Sequence, residues 1–260
     1  MGRRSEKVKI GLALGGGAAR GLAHIGVLKV LEEEQMRIHC VAGTSAGSLI
    51  GSLFSAGFSW QKIKETARDI DWGDLVSPTW PTLGIVNPAK LEKTLDRMLQ
   101  GRGFEDLSIP FRAVAVDITN GEEVVLQSGS VARAVRASCS IPGIFEPTEL
   151  KGRLLVDGGL LNDVPTDVVG DMGADRVIGV DLNADRIVPK RPENLIEIFY
   201  RSLNILIYNS AQRARRAADV MVVPRLEGFS YHDLGALDEL IARGERAMRD
   251  QIAAVKELVR

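Results

Sequence analysis

The residues most able to do chemistry are Gly43-Thr44-Ser45-Ala46-Gly47, lying between a short apolar segment and a stretch rich in small side chains. A serine flanked by glycine two positions away on each side has the G-x-S-x-G pattern of a nucleophile elbow. There a sharp strand-to-helix turn lifts the hydroxyl clear of the sheet, and larger flanking side chains would collide with backbone. The helix start behind such a serine favours developing negative charge. The plain alternative is a tight turn with a capping serine. A second cluster, Gly15-Gly16-Gly17-Ala18-Ala19-Arg20-Gly21, also follows an apolar run and precedes a helical pattern. Consecutive glycines let several backbone N–H groups converge on one point, which suits an oxyanion or a phosphate. A dinucleotide fingerprint G-x-G-x-x-G fits neither frame: from Gly15 the last position is Arg20, and from Gly16 the middle one is Ala18. The third cluster is Val156-Asp157-Gly158-Gly159 at the end of a predicted strand. An aspartate there can take a proton from a neighbouring hydroxyl, although Asp-Gly alone also makes an ordinary turn.

Positioning these three clusters requires alternating strands and helices. Apolar runs at 8–14, 38–42, 111–118, 154–156, 175–181 and 220–223 read as strands, with 123–127 as a hairpin partner of 111–118. Helical periodicity appears over 20–34, where Leu22, Ile25, Leu28 and Leu31 recur, and over 46–56, 60–69, 88–99, 130–138, 193–218 and 233–259. The alternation predicts an α/β fold, a mostly parallel central sheet with helices on both faces in three layers. Ligands of such sheets sit at the carboxyl ends of the strands, where all three clusters fall. Residues 71–87, with Trp72, Trp80, Pro78, Pro81 and the run Leu83–Val86, read as a long loop or lid that can face lipid. Residues 8–180 are expected to form the catalytic core, and 181–260 to complete the same domain.

Bulk properties exclude several classes. With 33 basic and 34 acidic side chains the net charge is −1, which provides no field for nucleic acid. Two distant cysteines, Cys40 and Cys139, in apolar surroundings predict reduced thiols and a cytoplasmic setting, with peripheral membrane contact open. No stretch approaches the roughly 20 apolar residues of a membrane span. No His, Cys or carboxylate cluster has ligand spacing, so neither metal nor cofactor is expected.

The combination resembles the patatin-like phospholipase family: a glycine-rich loop at 15–21, G-x-S-x-G at 43–47 and D-G-G at 157–159, in that order. Further matches are Arg20-Gly-Leu-Ala-His-Ile-Gly-Val-Leu28 and Ala137-Ser-Cys-Ser-Ile-Pro-Gly143. The resemblance covers about residues 8–180. It implies a Ser–Asp dyad that hydrolyses lipid acyl esters without histidine. Ser45 would be nucleophile and Asp157 proton acceptor. The N–H groups of Gly16, Gly17 and Ala18 would form the oxyanion hole, with Gly15, Arg20, Gly21, Gly43, Gly47, Gly158 and Gly159 in support. Ala18 departs from the glycine usual there; its N–H remains usable if its φ is not positive. Arg20 either anchors the loop or meets a lipid phosphate. Two other readings remain: a Ser45–Asp157–His232 triad, whose order fits an α/β-hydrolase, and a non-catalytic module binding an acyl ligand or a protein. Helix 193–218 carries Leu195, Ile198, Phe199, Leu203, Leu206 and Ile207, then Arg213, Arg215 and Arg216. It suits a core helix, a membrane-surface helix or a contact with a second subunit.

Overall fold

The structure is a computed structural model and describes residues 8–69, 77–78, 83–185, 191–231 and 234–259. The main sheet holds β1 (Ile10–Leu14), β2 (Ile38–Thr44), β5 (Phe111–Asp117), β6 (Glu122–Leu126), β7 (Thr148–Leu150), β8 (Arg153–Asp157), β9 (Arg176–Val180) and β10 (Val220–Val222). Two-residue strands β3 (Ser77–Pro78) and β4 (Val86–Asn87) form a separate antiparallel pair. The order across the main sheet is β10-β9-β1-β2-β5-β8-β7, with β6 also on β5. The pairings from β10 to β5 are parallel. Those of β6, β7 and β8 are antiparallel. The sheet is thus parallel at its centre, as its pattern implied, with an antiparallel extension at one side.

The helices are α1 (Ala23–Glu33), α2 (Ala46–Ser55), α3 (Trp60–Arg68), α4 (Ala89–Leu99), α5 (Val131–Ser138), α6 (Thr166–Asp171), α7 (Leu195–Ala217) and α8 (Leu237–Glu257). Successive strand side chains point to opposite faces, and β1 makes both layers visible. Ile10, Leu12 and Leu14 enter a cluster with Ile25, Leu28 and Leu31 of α1, whereas Ala13 enters another with Val168 and Val169 of α6. Both faces are covered, which is why β1 is buried at every position. The short helix α6 and strand β7 carry too few residues to generate a readable period.

Two glycines bring the last helix to the glycine loop. A methyl on Gly26 of α1 would lie 2.0 Å from the carbonyl oxygen of Ile241, and one on Gly244 of α8 would lie 1.8 Å from that of Ala23. The two helices therefore touch backbone to backbone, directly behind the segment that carries residues 15–21. A 3-10 turn, Ala18–Leu22, precedes α1, so the expected helix 20–34 starts later and more tightly wound than its periodicity suggested.

Candidate functional site

Ser45 occupies the turn between β2 and α2 with φ 53° and ψ −125°. A non-glycine residue there stores about 1–3 kcal/mol, held only by well-fixed surroundings. Those surroundings are backbone contacts. A methyl on Gly43 would lie 2.5 Å from the Gly47 carbonyl oxygen, and one on Gly47 2.1 Å from that of Leu14. The Ser45 N–H donates to Ser138 Oγ at 2.8 Å, and Ser138 Oγ–H donates to the Val114 carbonyl at 2.6 Å. Ser48 Oγ–H donates to the Ser45 carbonyl at 2.6 Å.

Asp157 reaches the same place from the opposite direction. The sequence placed all three clusters on one rim of a parallel sheet, but β8 runs antiparallel to β5. Strand β2 pairs with Phe111–Val114 of β5 and ends at Thr44 opposite Val114. The next residue of β5, Ala115, is the partner of Asp157. Because β5 overhangs β2, the end of β8 meets the end of β2 head-on, and the serine and aspartate come together. One segment clamps both: Ser138 holds the Ser45 amide, and the Ser140 carbonyl accepts the Asp157 N–H at 2.9 Å. Asp157 Oδ1 accepts from the Gly159 N–H at 2.8 Å. Gly158 permits the close passage, since a methyl there would lie 2.4 Å from the Val114 carbonyl oxygen.

Ser45, Asp157, Gly16, Gly17 and Ala18 line one cavity of about 650 Å³. Its other walls are mostly apolar, including Leu49, Ile50, Leu91, Ile141, Ile144 and Phe145, which suits an acyl chain. Cys139 is a free thiol on this wall. Burial pushes its pKa up, and the nearby Asp157 pushes it the same way, so it stays protonated.

The glycine loop differs in detail from expectation. The Gly16 N–H already points to the Asp163 carbonyl at 3.3 Å. The Gly17 and Ala18 N–H groups have no intramolecular acceptor among the described residues. Of the three N–H groups expected to converge there, that of Gly16 thus has a partner within the chain. Ala18 does adopt positive φ, 48°, contrary to the condition set on it. A Cβ in that region costs about 1–2 kcal/mol, yet the N–H stays available because the strain falls on Cβ and not on the amide.

The loop is tied down by Arg20 and by partners that sequence reasoning left out. Arg20, 5% exposed, pairs with Asp185 at 2.7 Å and donates to Tyr231 Oη and the Phe229 carbonyl. Arg20 is thus an anchor and is not directed at a lipid phosphate. Tyr231 Oη–H donates to Asn183 Oδ1 at 3.3 Å, and Asn183 Nδ2 donates to the Gly16 carbonyl at 3.1 Å and to Asp163 Oδ2 at 2.8 Å. These partners lie between 163 and 231, in segments without a motif, so no local signal marked them. Trp72, Trp80 and His232 lie outside the described residues, as does most of the expected loop 71–87.

His24, fully buried, donates Nε2–H to the Gly15 carbonyl at 2.8 Å, since a carbonyl can only accept. Burial lowers its pKa from 6.5 to about 4, with the Gly15 bond opposing weakly. The folded protein therefore keeps a neutral imidazole where the unfolded chain binds a proton. Stability contributed here is complete above about pH 6.5 and falls by about 1.4 kcal/mol per pH unit down to about pH 4. Urea unfolding at pH 7.5 and 5.0 is expected to show this loss in wild type and a shallower one in His24→Gln. Equal slopes would remove His24 as the cause.

Among the described residues no group of three or more His, Cys, Asp or Glu could hold a metal ion. No described helix is long and apolar enough to cross a membrane.

Comparison with known proteins gives three kinds of likeness. Residues 12–169 match the family model of the patatin-like phospholipases. An uncharacterized NTE family protein of Mycobacterium tuberculosis is 36% identical over 192 residues, 73% of this chain and 53% of that protein. The protein named lysophospholipase NTE1 from Kluyveromyces lactis is 28% identical over 279 residues, covering 95% of this chain and 19% of its own length. The chain thus spans about half or less of these relatives. The crystal structure of VipD from Legionella pneumophila matches with a TM-score of 0.63 at 14% identity, over 97% of this chain and 67% of that one, a likeness of fold.

Proposed function

The chain belongs to the patatin-like phospholipase family, and from that premise we propose that it hydrolyses acyl esters of lipids through a Ser45–Asp157 dyad. The observation that carries this reading is the strained serine opening, together with a buried aspartate, onto a mostly apolar cavity of about 650 Å³. In the proposed reaction the ester carbonyl oxygen lies at the Gly17 and Ala18 N–H groups. Ser45 Oγ bonds to the carbonyl carbon as its proton passes to Asp157. The leaving alcohol takes that proton, and water activated by the same carboxylate then releases the fatty acid. Of the described residues that flank the glycine loop, His24 is engaged by the Gly15 carbonyl and Arg20 by Asp185. A pure binding module needs neither the strained turn nor a carboxylate beside it.

The substrate would be met at a lipid surface. Helix α7 lines the cavity with Tyr200, Leu203, Asn204 and Ile207. Its first turns expose Leu195 (79%), Ile196 (68%), Ile198 and Phe199. Phe199 abuts Gly143, and the Ile85 N–H donates to the Ile144 carbonyl, so exposed Leu83 and Ile85 border the same 140–145 turn at the cavity wall. Apolar groups displayed around a lipid-accepting cavity suit insertion among acyl chains.

The test is fatty-acid release from lysophosphatidylcholine and from phosphatidylcholine vesicles, with a soluble short-chain ester as control. The double variant Leu195→Asp/Ile196→Asp is expected to lower the vesicle rate at least about tenfold while leaving the short-chain rate unchanged, because each buried side chain contributes about 1.5–3 kcal/mol. Equal vesicle rates would discard the docking surface. No release from any ester by folded protein would discard the hydrolase.

A further inference from the structure

Helix α7 reaches the site through a residue that does not face the substrate. Ser210, 4% exposed, lies on the buried face of α7 with Ile207, Ala211 and Ala214. A serine hydroxyl competes for backbone groups, so at a buried helical position it needs partners. Here they lie mainly outside the helix, on the segment 158–165 that joins β8 to α6. Ser210 Oγ accepts the Asp163 N–H at 3.1 Å. Its one proton faces two carbonyls, that of Gly159 at 3.0 Å and that of Ile207, three residues back on α7, at 2.9 Å. Asp163 lines the cavity of Ser45, whereas Ser210 is not among the described residues that do. Ser210 lines a second cavity, of about 370 Å³, with Asn162, Thr166 and Arg213.

The segment that Ser210 holds aims the candidate base. The Gly159 N–H donates to Asp157 Oδ1 at 2.8 Å, so the orientation of residue 159 sets where the carboxylate points. Two successive glycines, 158 and 159, give this turn more backbone freedom than other residues would, so it needs an external hold. Further along, the segment has ties of its own. The Leu161 carbonyl accepts from Arg213 at 3.2 Å, that of Asn162 from Thr44 Oγ1 at 2.8 Å and that of Asp163 from the Gly16 N–H at 3.3 Å. The glycine loop is likewise fixed without Ser210, by Arg20 on Asp185, by Asn183 on the Gly16 carbonyl and by the Val180 carbonyl on the Gly15 N–H. At Gly159 the holder is Ser210 Oγ–H. Ile207 also packs there, since a methyl on Gly159 would lie 3.5 Å from its Cγ1. Such a contact limits approach but does not orient a carbonyl.

We propose that Ser210 is a positioning residue for the ester hydrolysis: its hydroxyl, borne by the helix that walls the cavity, holds the Gly158-Gly159 turn so that Asp157 is aimed at the Ser45 hydroxyl. Ser210 touches neither substrate nor reacting atoms and acts through Asp157. Removing its hydroxyl takes away the acceptor of the Asp163 N–H and the donor of the Gly159 carbonyl. The turn can then pivot about its glycines, and a displacement of about 1 Å at a reacting group can cost about 10²-fold in rate. The inference rests on the Ser45–Asp157 reading.

The experiment is short-chain ester kinetics in wild type, Ser210→Ala, Ala214→Gly, Asp157→Asn, the double variant Ser210→Ala/Asp157→Asn and Ser45→Ala. Rates are divided by the concentration of protein that takes a lipid-like fluorophosphonate adduct to completion, so unfolded material does not count. Ser210→Ala is expected to lower kcat about 30–100-fold with KM within about twofold of wild type. Ala214→Gly weakens the same buried face of α7 without removing a side-chain hydrogen bond, and is expected to lower the unfolding temperature while keeping the wild-type kcat. Because Ser210 acts through Asp157, the double variant is expected within about threefold of Asp157→Asn alone. A Ser210→Ala kcat within about threefold of wild type, an equal loss in Ala214→Gly, or losses that multiply in the double variant would each overturn the proposal. If Ser210→Ala does not fold, Ser210→Cys decides the case. It fills nearly the same space with a weaker donor and acceptor and must lower kcat at least about fivefold at unchanged KM; wild-type turnover there overturns the proposal. Failure of the dyad reading is distinct, because Ser45→Ala would then still be labelled or Asp157→Asn would keep its rate.

Discussion

Ser45→Ala is expected to lose the fluorophosphonate adduct entirely and to slow ester hydrolysis by at least about 10⁴-fold, the scale of removing a serine nucleophile. The fold should survive the change. Residue 45 is held through its backbone, by Ser138 Oγ on the N–H and Ser48 Oγ on the carbonyl, and alanine keeps both contacts. The positive φ of 53° strains alanine and serine alike. Intact mass after labelling, with thermal unfolding as the folding control, separates the outcomes. An adduct that persists at full rate in Ser45→Ala would place the nucleophile elsewhere.

Asp157→Asn is expected to cost about 10³–10⁴-fold in turnover with little change in stability. Asparagine Oδ1 can still accept the Gly159 N–H that Asp157 accepts at 2.8 Å, so the turn after β8 keeps its shape while the base is removed. Short-chain ester kinetics at saturating substrate read this directly. A rate within about tenfold of wild type would move the base away from Asp157, and Asp163 and His232 would then be the positions to replace next. The two variants differ in a useful way. Loss of the nucleophile abolishes labelling, whereas loss of the base slows labelling and leaves it complete given time.

Much of the frame was legible because each element carries a local signature. The apolar run before Gly15, the small-residue helix after Ser45 and the periodic stripe of Leu22, Ile25, Leu28 and Leu31 report backbone period and burial directly. The short β3, β4, β7 and α6 and the 3-10 turns at Ala18–Leu22, Phe104–Asp106 and Gly158–Leu160 escaped, since two to six residues span too little of a period. At the site, the glycine–serine–glycine turn was legible for a steric reason. Gly43 and Gly47 stand where any Cβ would meet backbone within 2.5 Å.

The candidate nucleophile, the candidate base and the loop facing them were legible in the sequence, because each is a short contiguous motif whose local conformation selects its residue types. What only the tertiary structure decided was how they meet and what holds them. The aspartate arrives on a strand antiparallel to its neighbour, and strand direction depends on long-range pairing that no local pattern encodes. Arg20 became an anchor because Asp185 and Tyr231, more than 160 residues away, fold over it. Asp163 entered the site for the same reason: Asn183, Ser210 and the glycines at 16 and 159 surround it only after β9 and α7 have closed on the sheet. Local sterics leave a mark in sequence at the residue they constrain; a buried polar network is a property of segments brought together, and its members carry no mark until they touch.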